Sequence, residues 1–92
     1  MTEKINYKYQ ADLVHNLAEI QSDKNMRRFL EVILTDDEFA ELSKRLQILK
    51  RLVKNNSQRE IAKDLKVAIA TVSRGANELK KGKEKVEKMI KQ

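Results

Sequence analysis

Apolar residues recur at three- and four-residue intervals along the first half of the chain, which is the spacing of one face of an α-helix. One stripe lies within residues 7–21, and a second begins after a polar break at residues 22–25. A third follows Thr35 and ends near residues 54–56, where asparagine can take the left-handed conformation of a helix C-cap. The pattern therefore predicts three helices, with apolar faces formed by Leu13, Val14, Leu17 and Ile20; by Met26, Phe29, Leu30 and Ile33; and by Phe39, Leu42, Leu46, Leu49 and Val53.

Two capping boxes mark helix starts. Thr35 is followed three residues later by Glu38, and Ser57 is followed in the same way by Glu60. The second box predicts a short fourth helix that ends at about Leu65. A fifth helix is expected from about Ala68 to Lys80, ending before Gly82, and a last amphipathic segment carries Val86, Met89 and Ile90.

These elements predict an all-α fold of about six helices in a single domain, residues 1–92. We expect dimerisation helices in residues 1–56, a helix-turn-helix in 57–81 and a C-terminal helix in 82–92. The first two helices have apolar stripes with no obvious partner in the chain beyond the third helix. A monomer of this size would bury too little apolar surface, so the prediction is an intertwined helical homodimer.

Composition excludes several classes of protein. The chain contains no cysteine, which excludes a disulfide scaffold, a thiolate zinc site and thiol catalysis. His15 is the only histidine and has no catalytic constellation near it, so we expect no enzyme and no cofactor. No apolar run is long enough to cross a membrane and the N-terminus lacks a signal-peptide core, which predicts a soluble cytoplasmic protein without a membrane partner.

Positive charge is concentrated in the second half of the chain. Residues 1–56 contain ten Lys and Arg against nine Asp and Glu, a net charge of +1, whereas residues 57–92 contain ten against five, a net charge of +5. This asymmetry favours a polyanionic partner. A solvated lysine-rich tail would give the same imbalance, so charge alone leaves the two interpretations open.

Residues 58–77 have the apolar spacing of a helix-turn-helix. Ile61 and Leu65 are expected to face inward from the first helix, Ala62 to sit where the two helices cross closely, and Val72 to pack against them from the second helix. Lys66 occupies a turn position that is often glycine, at a cost of about 1 kcal/mol if its backbone is left-handed. The alternative is a helical corner of this shape that packs without binding DNA.

Four segments, in this order and spacing, resemble the tryptophan repressor family: "LTDDE" (34–38), "SKRLQIL" (43–49), "SQREIAKDL" (57–65) and "IATVSRGANELK" (69–80). The resemblance covers about residues 30–81. It implies a sequence-specific DNA-binding repressor, a homodimer that binds a double-stranded operator with L-tryptophan as corepressor. Its targets would be genes for tryptophan biosynthesis or uptake.

The resemblance also implies a ligand site. Two arginines would form the sides of a slot for the indole ring, a threonine would help to fix the ligand carboxylate, and two backbone carbonyls of the partner subunit would face its ammonium group. A glycine would leave space beside the ligand. The positions in this chain are Arg45 and Arg74, Thr35, Val32 and Leu34, and Gly75.

From the residues alone, Arg45 lies at the margin of the third apolar face and needs an anion or an aromatic partner. A ligand with a carboxylate and an aromatic ring supplies both. The alternatives are an ion pair with Glu41 or Asp37, or a side chain that extends into solvent. Thr35 likewise has a competing assignment as a helix cap.

For DNA, the resemblance assigns the start of the fourth helix and the groove-facing start of the fifth. Arginine matches the two acceptors of guanine, so Arg59 is the candidate for direct readout. Small apolar side chains at the start of the fifth helix would allow close approach, with water filling the polar gaps. The expected DNA-binding residues are Gln58, Arg59, Lys63, Ile69, Ala70, Thr71 and Ser73, with phosphate attraction also from Lys66, Lys80 and Lys81.

Three positions depart from the family pattern. Glu78 stands where serine is usual, and its carboxylate could either pair with the ligand ammonium or turn back onto Arg74 and close the slot. Ala62 replaces a lysine and removes one expected DNA contact, and the turn before Ser57 is one residue shorter. Two other functions stay open: a relative that binds DNA constitutively or senses another ligand, with Glu78 as the discriminating residue, and a helical interaction module whose basic tail contacts RNA or an acidic protein.

Overall fold

The computed structural model describes residues 4–92, apart from the side chains of Lys83 and Glu84. The regular elements within this range are helices, which confirms the predicted all-α class, and no strand occurs among the described residues. The helices are α1 (Tyr7–Glu19), α2 (Asp23–Ile33), α3 (Asp36–Val53), α4 (Gln58–Leu65) and α5 (Ile69–Met89). No helix in this part of the chain is both long enough and apolar enough to cross a membrane.

The chain forms two compact units, of which the first comprises Met1–Asp36. Its helices begin at side-chain caps: Tyr9 N–H donates to Asn6 Oδ1 (3.0 Å), and Asn25 N–H donates to Ser22 Oγ (3.1 Å). The break expected over residues 22–25 is therefore shorter than predicted, because Ser22 caps α2 and the helix begins at Asp23. Neither α1 nor α2 contains a buried residue.

The second unit, Asp37–Gln92, confirms the predicted helix boundaries around the fourth helix. After α3, Asn55 is left-handed (φ 66°), and its N–H donates to the carbonyl of Leu52 (2.9 Å). Ser57 Oγ then accepts from Glu60 N–H (3.1 Å), as the capping box predicts. These local signals fix where α3 stops and where α4 starts.

The turn between α4 and α5 has the expected left-handed residue. Lys66 has φ 55° and ψ 49°, and Val67 N–H returns to the carbonyl of Ala62 (3.0 Å) to close the C-terminus of α4. α5 begins at Ile69, and its N-cap Ala68 makes no side-chain capping hydrogen bond. The helix-turn-helix corner is thus formed by a well-satisfied end of α4 and an uncapped start of α5.

The core of the second unit lies inside this corner. Ile61 and Val72 are fully buried (both 0% exposed), as predicted, and Ile48 of α3 joins them at 3%. Of the apolar face predicted for α3, Leu42 and Leu46 remain 47% and 44% exposed in the single chain. α3 has a second apolar edge, formed by Ile48 and Leu52, and this edge packs against the helix-turn-helix corner.

The fifth helix does not end before Gly82, which corrects the predicted break. α5 runs without interruption to Met89, so the expected separate C-terminal helix is its last part. A glycine inside a helix costs up to about 1 kcal/mol and does not by itself stop it. A Cβ at position 82 would collide with the side chain of Val86, so the glycine makes room for a neighbour one turn later.

Candidate ligand cleft and DNA interface

A cleft of about 590 Å³ opens between α3 and α5 in the second unit. Ligand-binding clefts usually have volumes of roughly 300–1,000 Å³, so this one suits a small molecule. Its walls are lined from α3 by Glu41, Lys44, Arg45, Ile48 and Leu49, and from the turn and α5 by Val67, Ala68, Thr71, Arg74, Gly75 and Glu78.

Helical spacing explains why these residues share the cleft. The α3 residues occupy positions i, i+3, i+4, i+7 and i+8, and those of α5 occupy positions i, i+3, i+4 and i+7, which places each set on one helix face. Gly75 permits the close approach of the two helices. A Cβ there would lie 3.2 Å from Cγ2 of Ile48 and 3.6 Å from Cδ1 of Leu52. The missing side chain thus makes room for α3, while its expected role beside a ligand stays a prediction.

The two predicted slot residues, Arg45 and Arg74, line this cleft together. Both are exposed, and within the described part of the chain neither guanidinium is in an ion pair or a hydrogen bond. The alternative pairing of Arg45 with Glu41 or Asp37 is therefore not formed. Two guanidiniums on facing helices are left available to an external anion or aromatic ring.

Glu78 also lines the cleft, but its carboxylate is engaged elsewhere. Its Oε1 lies 3.2 Å from Nζ of Lys81, one turn further along α5, and it makes no ion pair with Arg74. Of the two alternatives left open by the sequence, closure of the slot by a Glu78–Arg74 pair is thus not the arrangement seen.

Three predicted ligand contacts belong to the first unit. Val32 is an exposed residue of α2, Leu34 is the C-cap of that helix, and Thr35 immediately precedes α3. Their expected interactions with a carboxylate and an ammonium group stay predictions.

The predicted DNA-binding residues lie on α4 and on the start of α5. Arg59, Lys63, Ile69 and Ala70 are exposed, as a contact surface requires. Thr71 is exposed too, but it also lines the cleft and so adjoins both candidate sites.

A hydrogen bond that the sequence did not predict joins the two helices of the corner. The Ser73 hydroxyl donates to Oε1 of Gln58 (2.7 Å). The carboxamide oxygen of Gln58 accepts this bond, and its Nε2 group stays available as a donor.

Arg51 connects α3 to α4 in a way that sequence patterns did not predict. Its Nε donates to Oδ1 of Asn56 (2.8 Å), and its Nη2 donates to Oδ2 of Asp64 (2.8 Å). The side chain is 27% exposed, so this paired guanidinium is better shielded than the two in the cleft. These bonds hold the C-terminal end of α3 against α4. The sequence spacing does not reveal this pairing, because Asn56 and Asp64 lie 5 and 13 residues after Arg51 and match no local motif.

The helix order, the helix-turn-helix corner and the arginine-lined cleft can be compared with known proteins. The family model described as Trp repressor protein matches residues 9–92, nearly the whole chain. The chain belongs to the Trp repressor family. This family is a family of regulators, so the protein is a regulator of the Trp repressor type.

Relatives in several bacteria support the family assignment. A Trp operon repressor homolog of Vibrio campbellii is 36% identical over 81 residues, covering 87% of this chain and 81% of the relative. A Trp operon repressor homolog of Xylella fastidiosa is 41% identical over 68 residues, or 73% of this chain and 74% of the relative. One from Haemophilus influenzae is 41% identical over 59 residues, covering 63% of this chain and 58% of the relative.

Proposed function

We propose that the protein is a DNA-binding transcriptional repressor that acts as a homodimer and is activated by L-tryptophan bound in the α3–α5 cleft. Genes for tryptophan biosynthesis or uptake would be its targets. The proposal rests on the guanidiniums of Arg45 and Arg74, which lie on the two walls of one cleft and form no ion pair.

The chemistry of the cleft suits an aromatic amino acid. Guanidinium planes stack on aromatic faces and also form charge-assisted hydrogen bonds with carboxylates, and tryptophan offers both partners. Ile48 and Leu49 add apolar surface for the indole ring. In the proposed complex, Thr35 contributes to carboxylate binding, and the carbonyls of Val32 and Leu34 of the second protomer face the ammonium group.

The start of α5 is suited to the DNA major groove. Ile69 and Ala70 are small enough for close approach, and the uncapped N-terminal amides after Ala68 favour a nearby phosphate. Arg59 of α4 contacts guanine, and the free Nε2 of Gln58 donates to the phosphate backbone of the DNA. The net charge of +5 in residues 57–92 adds non-specific attraction to DNA.

A homodimer is supported by the apolar surface that a single chain leaves exposed. Such residues occur on each of the first three helices, and burying them across a two-fold axis would stabilise an interface. They include Leu13 and Val14 of α1, Val32 and Ile33 of α2, and Leu42 and Leu46 of α3.

The two-fold symmetry of the proposed dimer also explains how the ligand would control DNA binding. Two α5 helices must enter successive major grooves about 34 Å apart. Tryptophan wedged between α3 and α5 tilts the helix-turn-helix to that spacing. Because the two sites are linked, DNA tightens tryptophan binding by the same factor.

Two arginine variants test this separation of roles. DNA affinity is measured with and without L-tryptophan, on a duplex selected from a random pool by the wild-type protein in the presence of the ligand. Arg74→Ala is expected to abolish the response to tryptophan and to leave weak non-specific binding. Arg59→Ala is expected to lower affinity for the selected duplex by about tenfold and to leave tryptophan affinity unchanged.

Each variant serves as the other's control, since both remove one exposed guanidinium from the same unit. A full tryptophan response in Arg74→Ala would exclude the cleft as the ligand site. Equal loss of ligand and DNA affinity in Arg59→Ala would contradict the assignment of that residue to the DNA surface alone.

A further inference from the structure

The junction between α3 and α4 is closed by a Schellman motif. Asn55 N–H donates to the carbonyl of Leu52 (2.9 Å), and Asn56 N–H donates to the carbonyl of Arg51 (3.1 Å). The residues at the two ends of this motif often make an apolar contact. Here the contact is polar, because Nε of Arg51 donates to Oδ1 of Asn56 (2.8 Å). Arg51 thus binds Asn56 through its backbone and through its side chain.

The same guanidinium also contacts the other end of α4. Nη2 of Arg51 donates to Oδ2 of Asp64 (2.8 Å), a residue in the last turn of that helix. Asn56, its other partner, directly precedes Ser57, the N-cap of α4. The two contacts come from opposite ends of α4, so together they restrain the direction of the helix relative to α3, which one contact alone would not.

The Arg51–Asp64 pair is well suited to hold a geometry. The side chain of Arg51 is only 27% exposed, and its two hydrogen bonds are charge-assisted. The Arg27–Glu31 pair, by contrast, joins residues of one helix at 3.7 Å, with side chains that are 70% and 55% exposed. Water screens such an open pair strongly, whereas the pair between α3 and α4 is screened less.

We propose that Arg51 is a positioning residue for DNA recognition. By bonding to Asn56 and Asp64, it sets the direction of α4 and therefore the angle at which the start of that helix meets a DNA duplex. Gln58 and Arg59 lie at this start and act on the DNA, whereas Arg51 acts through them. The inference rests on the proposed function, because it assumes that the start of α4 contacts DNA.

The physical basis is that the two kinds of DNA contact differ in their tolerance of misalignment. Hydrogen bonds to base edges weaken steeply when donor and acceptor are poorly aligned, whereas attraction between positive charges and phosphates depends little on orientation. If α4 loses its fixed direction, specific binding should therefore weaken more than non-specific binding.

The quantity to measure is the ratio of two affinities, one for the duplex selected by the wild type and one for a random duplex of equal length. A change in net charge or in the folded fraction alters both affinities in the same sense and largely cancels in the ratio. Arg51→Gln and Asp64→Ala change the net charge in opposite directions. Each is nevertheless expected to lower the ratio about fivefold.

The double variant tests whether the two residues act through one bond. Independent effects would multiply to a loss of about 25-fold, whereas a shared bond can be lost only once. We expect Arg51→Gln/Asp64→Ala to have the ratio of Arg51→Gln alone. A loss that multiplies would contradict the proposed connection. Neither residue lines the α3–α5 cleft, so the affinity for L-tryptophan is expected to stay unchanged in all three variants.

Lys54→Gln and Glu60→Ala are the matched controls, since each removes one charge from an exposed residue close to the same junction. Neither residue is in an ion pair within the described part of the chain, and we expect both variants to keep the wild-type ratio. An equal fall in the controls, or an unchanged ratio in Asp64→Ala, overturns the inference while the proposed function stands. If the wild type selects no duplex, the proposed function fails and the inference fails with it.

Discussion

The two compact units of the chain differ in how they bury apolar residues. The unit formed by α3, α4 and α5 has a core of its own in Ile48, Ile61 and Val72. The unit formed by α1 and α2 contains no buried residue in either helix, although both helices have apolar stripes. A stripe without a buried residue is a surface that still lacks its partner.

The two units therefore differ in where their stabilising contacts come from. The helix-turn-helix corner is held together by contacts within one chain, among them those of the buried Ile48, Ile61 and Val72. Helices α1 and α2 gain burial only when something covers them, and in the proposed homodimer this is the second protomer. The α3–α5 cleft lies in the second unit, whereas Val32, Leu34 and Thr35 belong to the first.

The largest expected effect comes from breaking the core of the corner. Ile61→Ala leaves a cavity beside Ile48 and Val72 and is expected to lower the free energy of unfolding by about 3 kcal/mol. Urea denaturation followed by circular dichroism measures this loss. The matched control is Ile69→Ala, the same substitution at a half-exposed position of α5, which is expected to cost less than about 1 kcal/mol.

The control also reports on function. Ile69→Ala is expected to weaken binding to the selected duplex while the protein stays folded, since Ile69 is assigned to the groove-facing surface. Similar losses of stability in the two variants would mean that the corner has no core distinct from its surface.

A charge introduced on α1 is expected to have the next largest effect, which is on dimerisation and therefore depends on protein concentration. Leu13 is 42% exposed in the single chain, so Leu13→Glu disturbs the isolated chain little. In the proposed dimer the change buries two carboxylates, and the dimer dissociation constant is expected to rise by about a hundredfold. Sedimentation equilibrium measures it, and Lys8→Gln, an exposed change on the same helix, is the control.

Identical association of Leu13→Glu and the wild type would show that α1 does not take part in the interface. The apolar surface of the first unit would then require another partner, and the comparison between the two units would have to be revised.

The smallest effect concerns the turn that aims α5. Lys66 is left-handed, and Lys66→Gly is expected to raise the free energy of unfolding by about 1 kcal/mol because glycine adopts this conformation without steric cost. Asn55, the other left-handed residue in the described part of the chain, is its control. Asparagine tolerates this backbone well, so Asn55→Gly is expected to change stability by only a few tenths of a kcal/mol. A larger gain at Asn55 than at Lys66 would contradict this account of the turn.

Local chemistry explains how much of this fold the sequence predicts. The Ser57 cap, the left-handed Asn55 and Lys66 and the buried Ile61 and Val72 all follow from short-range patterns. The continuity of α5 does not, because Gly82 normally weakens a helix, and the close approach of the Val86 side chain to position 82 is seen only once the helix has formed. The core position of Ile48 is also hidden, since α3 has two apolar edges and periodicity cannot tell which one faces the corner.

The candidate site was predictable only in part, for a similar reason. The family resemblance identifies Arg45 and Arg74, and the structure brings them into one cleft. It does not indicate which cation Glu78 pairs with, because Arg74 and Lys81 are both within one turn of it on α5. Long-range pairs such as Ser73 with Gln58 and Arg51 with Asp64 likewise depend on the packed corner rather than on neighbouring residues.

In the proposed function, the two unpaired guanidiniums of the α3–α5 cleft form the site of an aromatic amino acid. The most direct test is to titrate free L-tryptophan with the protein and to follow indole fluorescence, which here reports almost entirely on the ligand. We expect a spectral shift and a rise in anisotropy that saturate near one ligand per chain and are lost in Arg74→Ala. An unchanged signal up to millimolar protein would contradict it and leave the helix-turn-helix without this effector.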